Sequence, residues 1–390
     1  MRIAYLTHYS ELFGANRSLL DLMLEARRRG VVEPHVVLPA EGPFTERLKQ
    51  EGIPYAVIPF QPWMSERHYE GGPHHRLRQW FGHTRAAWER AKTNARLWPR
   101  LRDRLKEWNV QLVHLNSAAV GVAPHLIHAR QWPVVWHIRE LPERQYLLHI
   151  DAGAKAYGRW LRKATRRIAI SQAVVEDIHR YAGTDLAIDL IYNGVLHQAR
   201  YDEERNGPHP PRNGPFTFLL LGLIHPNKGQ VEAVEALARV RAEGLDARLV
   251  IAGKGRDKEL RRRITELGLE HAVDLPGFVQ DVWPLLRTSD ALLMASRNEA
   301  MGRVTVEAMA AALPVVGHAS GGTLELVEDG VTGLYYREGT NDLAAAMAAL
   351  VRDPQRARDM GAAGHAQARE RFSVERMTDA VLRVYAEVRP

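Results

Sequence analysis

Short apolar runs alternate with helix-like segments along most of this chain, and this alternation limits its possible folds more than any other feature. The predicted strands cover residues 2–7, 35–39, 55–59, 112–116, 134–138, 167–171 and 189–192, and then 216–222, 247–253, 273–275, 291–295 and 314–317. Neighbouring parallel strands need a crossover connection, which is usually a helix. The sequence therefore predicts an α/β protein whose parallel, doubly wound sheets are covered by helices on both faces.

The alternation pauses between residues 197 and 215, where the chain is polar and rich in Pro, Gly and Asn. A chain of 390 residues can bury the cores of two domains. We predict a Rossmann-like domain over residues 1–200, a linker over 201–215 and a second Rossmann-like domain over 216–372, followed by an amphipathic helix from residue 373. Such sheets bind ligands at the carboxyl ends of their strands, so we expect the site in a cleft between the domains.

The composition narrows the class of protein. Apolar residues make up 45% and charged residues 25% of the chain, as in ordinary soluble globular proteins. The lack of cysteine excludes disulfide and thiolate chemistry and fits a reducing cytosol. The N-terminus does not resemble a signal peptide, and no apolar run approaches the ~18 residues of a membrane span. We expect a cytoplasmic protein, either soluble or peripheral on the inner face of the cell membrane.

Most of the net charge of +7 comes from one window, residues 61–110. This window holds eleven Lys or Arg against five Asp or Glu, and five of the nine tryptophans. Arginine and tryptophan interleaved on a helix suit an anionic membrane surface. Apolar residues recur at helical spacing at positions 77, 81, 88, 91, 95, 98, 101, 105 and 108. They therefore also fit a buried helix face with arginines on the solvent side. Both interpretations stay open, and nucleic acid is not the expected partner.

Two carboxylates flank a glycine at a predicted strand-to-helix junction. The strand is followed by a loop over residues 298–302 and a helix over 304–312, so Gly302 lies at the helix start. There the free N–H groups and the helix dipole favour a phosphate. Helical side chains lean toward the N-terminus, so Glu307 can reach a ribose diol, and Glu299 can accept from a second sugar. The geometry suits a sugar nucleotide.

This segment resembles the E-x7-E signature of retaining glycosyltransferases of the GT-B fold, in particular the large family 4. The pattern continues in register at Pro314, Gly321, Gly322, Glu325, Asp329, Gly330 and Gly333. The resemblance implies two doubly wound Rossmann-like domains facing a central cleft, with the acceptor on the first and the nucleotide sugar on the second. It implies that a C-terminal helix, within residues 373–390, crosses back onto the first domain. Met301 and Val304 join the predicted donor site.

Lys228 lies in a Lys-Gly element between a predicted strand and helix, similar to an element of the family. An ammonium there can stabilise the charge that builds on a diphosphate as the glycosidic bond breaks. The family often has arginine just after the first glycine of this loop, where this chain has Leu223. Arg303, beside the helix start, is the candidate substitute.

The first domain contributes two more predicted elements. The family usually carries a glycine pair after its first strand, with amides that face the donor phosphate; here Gly14 is followed by Ala15, whose amide can still donate. His137 ends the predicted strand 134–138 and resembles the family histidine that lies against the donor sugar. His137, Lys228 and Glu299 form the predicted catalytic set.

The resemblance also indicates the substrates. Phe278 and Val279 match the segment whose backbone lines the nucleobase, so their side chains barely encode the base. UDP- and GDP-sugars are the favoured donors, and a glycan or lipid-linked hydroxyl is the expected acceptor. The sequence contains no Asp-x-Asp triplet, and we predict no cofactor and no required metal.

The family implies a retaining transfer in the synthesis of cell-envelope polysaccharide, glycolipid or another glycoconjugate. Two alternatives stay open. One is a sugar-nucleotide-binding accessory subunit without turnover, motivated by the departures at Leu223 and Ala15. The other is an epimerase of the same fold.

Overall fold

The computed structural model of the protein describes residues 1–66, 73–145, 147–206 and 214–388. They form two compact units, Met1–Gly194 with Val374–Pro390, and Val195–Ser373. The segment predicted as a linker, 201–215, is not a separate element, because a helix, Gln198–Asn206, already belongs to the second unit; residues 207–213 lie outside the described residues.

The first unit is built on a parallel sheet. Its strands are β1 (Arg2–Leu6), β2 (Glu33–Leu38), β3 (Tyr55–Val57), β4 (Met64–Glu66), β5 (Leu112–Leu115), β6 (Val134–Ile138), β7 (Leu148–Ile150), β8 (Arg166–Ala169) and β9 (Asp189–Leu190). Seven of them pair in the order β3-β2-β1-β5-β6-β8-β9, all parallel, while β4 and β7 form a separate antiparallel pair. Strands buried on both faces need continuous apolar runs, which is what the sequence provides.

Helices cover this sheet. They are α1 (Gly14–Arg28), α2 (Pro43–Gln50), α3 (Pro73–Glu107), α4 (Ala123–Ala129), α5 (Pro142–Gln145), α6 (Ala154–Lys163) and α7 (Gln172–Ala182). The helix at the C-terminus, Val374–Glu387, also belongs here, because Met377, Val381, Val384 and Tyr385 are buried in one cluster with the first strands and α1. The predicted return of this helix to the first domain is confirmed.

The second unit has a parallel sheet of six strands. They are β10 (Phe216–Leu221), β11 (Ala247–Ala252), β12 (Val273–Gly277), β13 (Ala291–Met294), β14 (Val315–His318) and β15 (Gly333–Tyr336). Their order is β12-β11-β10-β13-β14-β15. The helices are α8 (Gln198–Asn206), α9 (Gln230–Ala242), α10 (Lys258–Glu266), α11 (Trp283–Thr288), α12 (Arg303–Ala310), α13 (Thr323–Leu326), α14 (Gly339–Arg352) and α15 (Pro354–Arg371), and Val374–Glu387 of the first unit is α16.

Both parallel sheets reverse their strand order once. In the second unit the chain moves outward from β10 to β12 and then returns to the other side of β10 with β13. The carboxyl ends of β10 and β13 therefore lie at the point where the strand order reverses, which is the usual ligand site of such sheets. In the first unit the same reversal falls between β1 and β5. The predicted α/β architecture is confirmed.

Candidate functional site

The predicted site residues of the second unit lie at the reversal between β10 and β13. Lys228 ends a short 3-10 turn, Pro226–Lys228, after β10, and Glu299 lies in the loop after β13. Because these two strands are hydrogen-bonded neighbours, their loops leave the sheet side by side. The topology thus brings together two residues that are far apart in sequence.

Lys228 and Glu299 form an ion pair. The distance between Lys228 Nζ and Glu299 Oε2 is 2.7 Å, and the two side chains are only 19% and 13% exposed. The turn that carries the lysine is held close to β13: Gly229 has φ +71°, and a Cβ there would lie 2.6 Å from Cβ of Ala295. Only glycine allows this approach and this conformation without strain. The ammonium is therefore placed by the backbone as well as by its partner.

Gly302 caps the start of α12 in a left-handed conformation, with φ 82° and ψ 78°. A side chain there would be strained and would also crowd Glu299, whose Cγ is 3.3 Å from the position of a Cβ. Arg303 and Val304 are the first residues of the helix and Met301 is buried just before it. The first N–H groups of a helix have no partner within it, so this start can accept an anion.

Glu307 lies one turn inside α12 and is 7% exposed. Its Oε1 is 3.7 Å from Nε of Arg303, so the carboxylate leans back toward the helix start, as its predicted role requires. The Arg303 guanidinium also donates to the carbonyl of Val195 at 3.3 Å. Arg303 is therefore held between its own helix and Val195, beside the start where it is predicted to replace a missing phosphate contact.

The loop that carries Glu299 is packed directly against a glycine pair, Gly321 and Gly322. The Gly322 amide donates to the Glu299 carbonyl at 2.7 Å. A Cβ on Gly321 would lie 2.4 Å from that same oxygen, and a Cβ on Gly322 would lie 2.5 Å from the carbonyl oxygen of Ala300. This close backbone contact gives a structural reason for the Gly-Gly pair that the sequence pattern singled out.

Two supporting residues were missed by the sequence analysis. Ser320 Oγ accepts from the Asn298 amide at 2.9 Å, and His318 Nδ1 is 2.8 Å from the same hydroxyl. Asn298 has a positive φ of 54°, so its conformation needs such support. The only signal in the sequence was that His318 ends the strand next to β13, which does not predict a hydrogen bond.

The loops after β11 and β12 complete this edge of the second sheet. A Cβ on Gly253 would lie 1.6 Å from the Gly222 carbonyl oxygen, so the turn after β11 packs directly on the loop that leads to Lys228. After β12, Phe278 is 54% exposed, and Lys254 Nζ lies 4.7 Å from the centre of its ring. Val279 is half-buried. The predicted base-lining segment therefore lies at the carboxyl edge of the sheet.

In the first unit, Gly14 and Ala15 are the first two residues of α1. Gly14 is exposed and Ala15 half-buried. The buried Asn16 holds the preceding loop by donating to the carbonyls of Tyr9 and Glu11 at 3.1 and 2.8 Å. Asn116, after β5, donates to the Ala15 carbonyl at 3.2 Å. The predicted phosphate-facing amides thus lie at a helix start, at the reversal of the first sheet.

His137 lies on β6 and has no exposed surface. Its Nδ1 is 3.3 Å from Nη2 of Arg139, and its ring is 5.3 Å from that of His114. Burial, then Arg139 and His114, lower the pKa of His137 well below its usual range, so the ring is neutral at physiological pH.

The fold is that of the GT-B glycosyltransferases. The family model described as "Glycosyl transferases group 1" matches residues 202–367, and the model "Glycosyltransferase Family 4" matches residues 14–198. The chain is 36% identical over 304 residues to a D-inositol 3-phosphate glycosyltransferase of Saccharomonospora viridis, a match that covers 67% of this chain and 70% of the relative. The chain belongs to glycosyltransferase family 4.

Two further relatives support the assignment. A crystal structure of Anabaena HepE in complex with UDP-glucose superposes with a TM-score of 0.78 at 26% identity and covers 99% of this chain and 100% of that one. The N-acetyl-alpha-D-glucosaminyl L-malate synthase of Bacillus anthracis is 26% identical over 227 residues, which is 56% of this chain and 59% of the synthase. The chain thus matches little more than half the length of that curated relative.

Proposed function

We propose that this protein is a retaining glycosyltransferase that moves a sugar from a nucleotide diphosphate sugar to a hydroxyl acceptor without a required metal. The observation that carries the proposal is the ion pair of Lys228 and Glu299, 2.7 Å apart, beside the start of α12. A cation, a helix start and a carboxylate together match the diphosphate and the sugar hydroxyls of such a donor. The complex of HepE with UDP-glucose supports a UDP-sugar as the first donor to test.

In the proposed mechanism the donor nucleotide binds the second unit. Glu307 accepts from the ribose hydroxyls, and the amides around Gly302 bind the diphosphate. Lys228 exchanges part of its contact with Glu299 for a phosphate oxygen, which frees the carboxylate for the sugar hydroxyls. Phe278 and Val279 line the base through their backbone. Glu307 and the backbone around Gly302 are held in place by packing, so little reorganisation of these groups accompanies the reaction.

The chemical step needs no nucleophile from the protein in this proposal. The acceptor hydroxyl attacks the anomeric carbon on the face that the nucleotide leaves, and a phosphate oxygen of the leaving group takes the acceptor's proton. The bond from the anomeric carbon to the diphosphate breaks, and its electron pair stays on the diphosphate. Lys228 and the dipole of α12 stabilise that charge, in place of a divalent cation. His137 is proposed to lie against the donor sugar.

The remaining parts of the proposal concern the first unit, the class of acceptor and the biosynthetic process. Gly14 and Ala15 are assigned to the donor phosphates, and a glycan or a lipid-linked hydroxyl is the proposed acceptor. Synthesis of a cell-envelope polysaccharide, a glycolipid or another glycoconjugate is the proposed process. We propose that the reaction takes place in the cytoplasm or at the inner face of the cell membrane, where such an acceptor is within reach.

A thermal-shift panel of UDP, GDP, ADP and their common sugars tests donor binding, because a ligand that binds only the folded state raises the melting temperature. We expect one nucleotide series to raise it and Glu307→Gln to reduce that shift. No shift with any nucleotide would contradict the proposal.

Turnover is tested with the donor that binds. We expect nucleotide release that depends on an added acceptor, that persists in the presence of a chelator, and that yields a product with the anomeric configuration of the donor, measured by NMR. Donor binding without any release would instead indicate an accessory subunit. Release or conversion without an acceptor would indicate hydrolysis or epimerisation.

A further inference from the structure

Helix α3 is anchored to the first unit through its C-terminal half. Arg90 donates to both carboxylate oxygens of Asp151 at 2.7 Å, and Asn94 exchanges two hydrogen bonds with the backbone of Gln61, at 2.7 and 3.0 Å. Further along, Leu101 and Leu105 are fully buried. From Arg90 onward the helix is therefore an integral part of the fold.

The preceding part of the helix comprises residues 74–89, and we call it the α3 arm. None of its residues is buried. At 1.5 Å per residue the arm is about 24 Å long. A helix of this length is marginally stable in water without tertiary packing, and most surface helices gain their stability by burying one face. No residue of the α3 arm is buried, so the arm does not gain stability in this way from the described residues.

The α3 arm nevertheless carries large apolar side chains. Leu77, Trp80, Phe81 and Trp88 are between 45% and 60% exposed. Successive helical residues turn by about 100°, so these four side chains lie within an arc of about 100° on one face. We call this the aromatic face. The interpretation of the helically spaced apolar positions as buried core, which the sequence left open, is wrong for Leu77, Phe81 and Trp88, although it holds for Leu101 and Leu105.

Basic residues border the aromatic face along one edge. By the same helical geometry, Arg78, Arg85, Lys92 and Arg96 fall within about 40° of each other, next to Phe81. Lys92 Nζ lies 4.6 Å from the centre of the Trp88 ring. Between residues 74 and 102 the sequence has eight Lys or Arg and a single acidic residue, Glu89. The charge of this stretch is therefore almost entirely positive.

We propose that the aromatic face of the α3 arm docks on a membrane surface that contains anionic lipids. The tryptophan and phenylalanine rings would enter the headgroup region, and the bordering arginines would meet lipid phosphates. A nucleic acid duplex would pair with the arginines but would leave the apolar rings in water, because its bases are stacked inside the helix. An acidic protein would need an apolar groove of matching length, whereas a lipid surface accepts the face as it is. The proposal does not depend on which donor or acceptor the protein uses.

Co-sedimentation with vesicles tests the proposal on the full chain. We expect binding to phosphatidylcholine vesicles that contain phosphatidylglycerol, little binding to pure phosphatidylcholine, and a loss of binding at high salt. Arg78→Glu with Arg85→Glu should weaken binding by at least tenfold, since each basic residue near an anionic surface contributes about fivefold. The matched control, Arg358→Glu with Arg383→Glu, changes the net charge equally at exposed positions outside the arm and should bind like the parent protein.

A second pair of variants separates docking by the rings from simple charge attraction. Phe81→Ser with Trp88→Ser should reduce vesicle binding by at least tenfold while leaving the melting temperature unchanged, because both side chains are exposed. Brominated lipids should quench part of the tryptophan fluorescence of the parent protein but less of that of the variant. Absence of binding at low salt, or binding that this variant leaves intact, would overturn the proposal. So would tighter binding to duplex DNA than to the anionic vesicles.

Discussion

The Lys228 ammonium is bound to the Glu299 carboxylate, with 2.7 Å between Nζ and Oε2. The pair joins loops from the two strands at which the sheet of the second unit reverses its order. The ion pair holds the lysine in position, and a donor diphosphate would compete with Glu299 for the same ammonium. The two residues should therefore be treated as one functional unit in mutagenesis.

Replacing Lys228 by methionine should lower kcat by about 100- to 1000-fold, the usual cost of removing one group that stabilises a developing negative charge. The unfolding free energy should also fall, because the mostly buried Glu299 carboxylate loses the ammonium that neutralises it. Steady-state kinetics with the donor identified by thermal shift provides the measurement. Lys258→Met, at an exposed position on α10, is the control and should retain parental activity. A fully active Lys228→Met variant would contradict the assigned role.

Replacing Glu307 by glutamine should weaken the binding of a nucleoside diphosphate but not of inorganic pyrophosphate. Only the nucleotide has a ribose diol, and loss of a hydrogen bond to a charged group costs about 1.5–3 kcal/mol, or about 10- to 100-fold in Kd. Isothermal titration with both ligands makes the comparison. Glu328→Gln, at an exposed position, is the control. Equal weakening for both ligands would place Glu307 on the phosphates instead of the ribose.

Replacing Gly321 by alanine should displace the loop that carries Glu299, because the new Cβ would lie 2.4 Å from the Glu299 carbonyl oxygen. The matched control is Gly330→Ala, which has a similar positive φ but no heavy atom within 4 Å of the new Cβ. Both variants should lose about 1–2 kcal/mol from backbone strain. Gly321→Ala should lose about 1–3 kcal/mol more and bind donor less tightly. Urea denaturation and donor titration distinguish these outcomes, and identical behaviour of the two variants would contradict the packing argument.

Acidification should destabilise the first unit in part through His137. Its folded-state pKa is lowered well below 6.5, mainly by burial, so below about pH 6.5 the unfolded chain binds a proton that the folded chain does not. The unfolding free energy should therefore fall as the pH falls, by up to about 1.4 kcal/mol per pH unit from this group. In His137→Gln the slope between pH 6.5 and pH 5 should be smaller.

The comparison with the parent protein isolates His137, because the other buried titratable groups remain in both proteins. These include His114, with a lowered pKa, and Glu140, with a pKa that burial raises. Chemical denaturation at a series of pH values gives the slopes. Above pH 7.5 the unfolding free energies of the two proteins should differ by a constant. Parallel plots of unfolding free energy against pH below pH 6.5 would show that His137 titrates normally in the fold.

Much of the fold could be predicted from the sequence because buried parallel strands leave continuous apolar runs. The predicted strand at 134–138 coincides with β6, and the predicted strand at 216–222 differs from β10 by a single residue. The short strands β4, β7 and β15 were missed. With three or four residues each and partial exposure, they lack the apolar length on which the predictions relied.

The segment predicted as a linker shows where local sequence is insufficient. Residues 198–206 are polar and look like a loop, yet they form α8. The helix is stabilised by long-range contacts: Tyr201 is fully buried and donates to the Phe372 carbonyl, and the buried Glu204 binds Arg287 at 2.7 Å. Such contacts override weak local preferences and cannot be inferred from the helix alone.

For the site, the spacing of Glu299 and Glu307 around Gly302 was sufficient to predict a helix start with one carboxylate on either side. The support of that start was not predictable, because it comes from Ser320, Gly321 and Gly322, whose contacts depend on how β13 and β14 are paired.

Membrane-spanning segments were not expected, and among the described residues no helix has the length and apolar content to cross a bilayer.

The place of α16 in the first unit has a consequence for biosynthesis. Val381, Val384 and Tyr385 belong to the same hydrophobic cluster as Ile3 and Val36, which are translated more than 300 residues earlier. Translation is vectorial, so the hydrophobic core of the first unit lacks α16 until the whole second unit has been synthesised. A change that removes α16 would thus harm the half of the molecule that was made first.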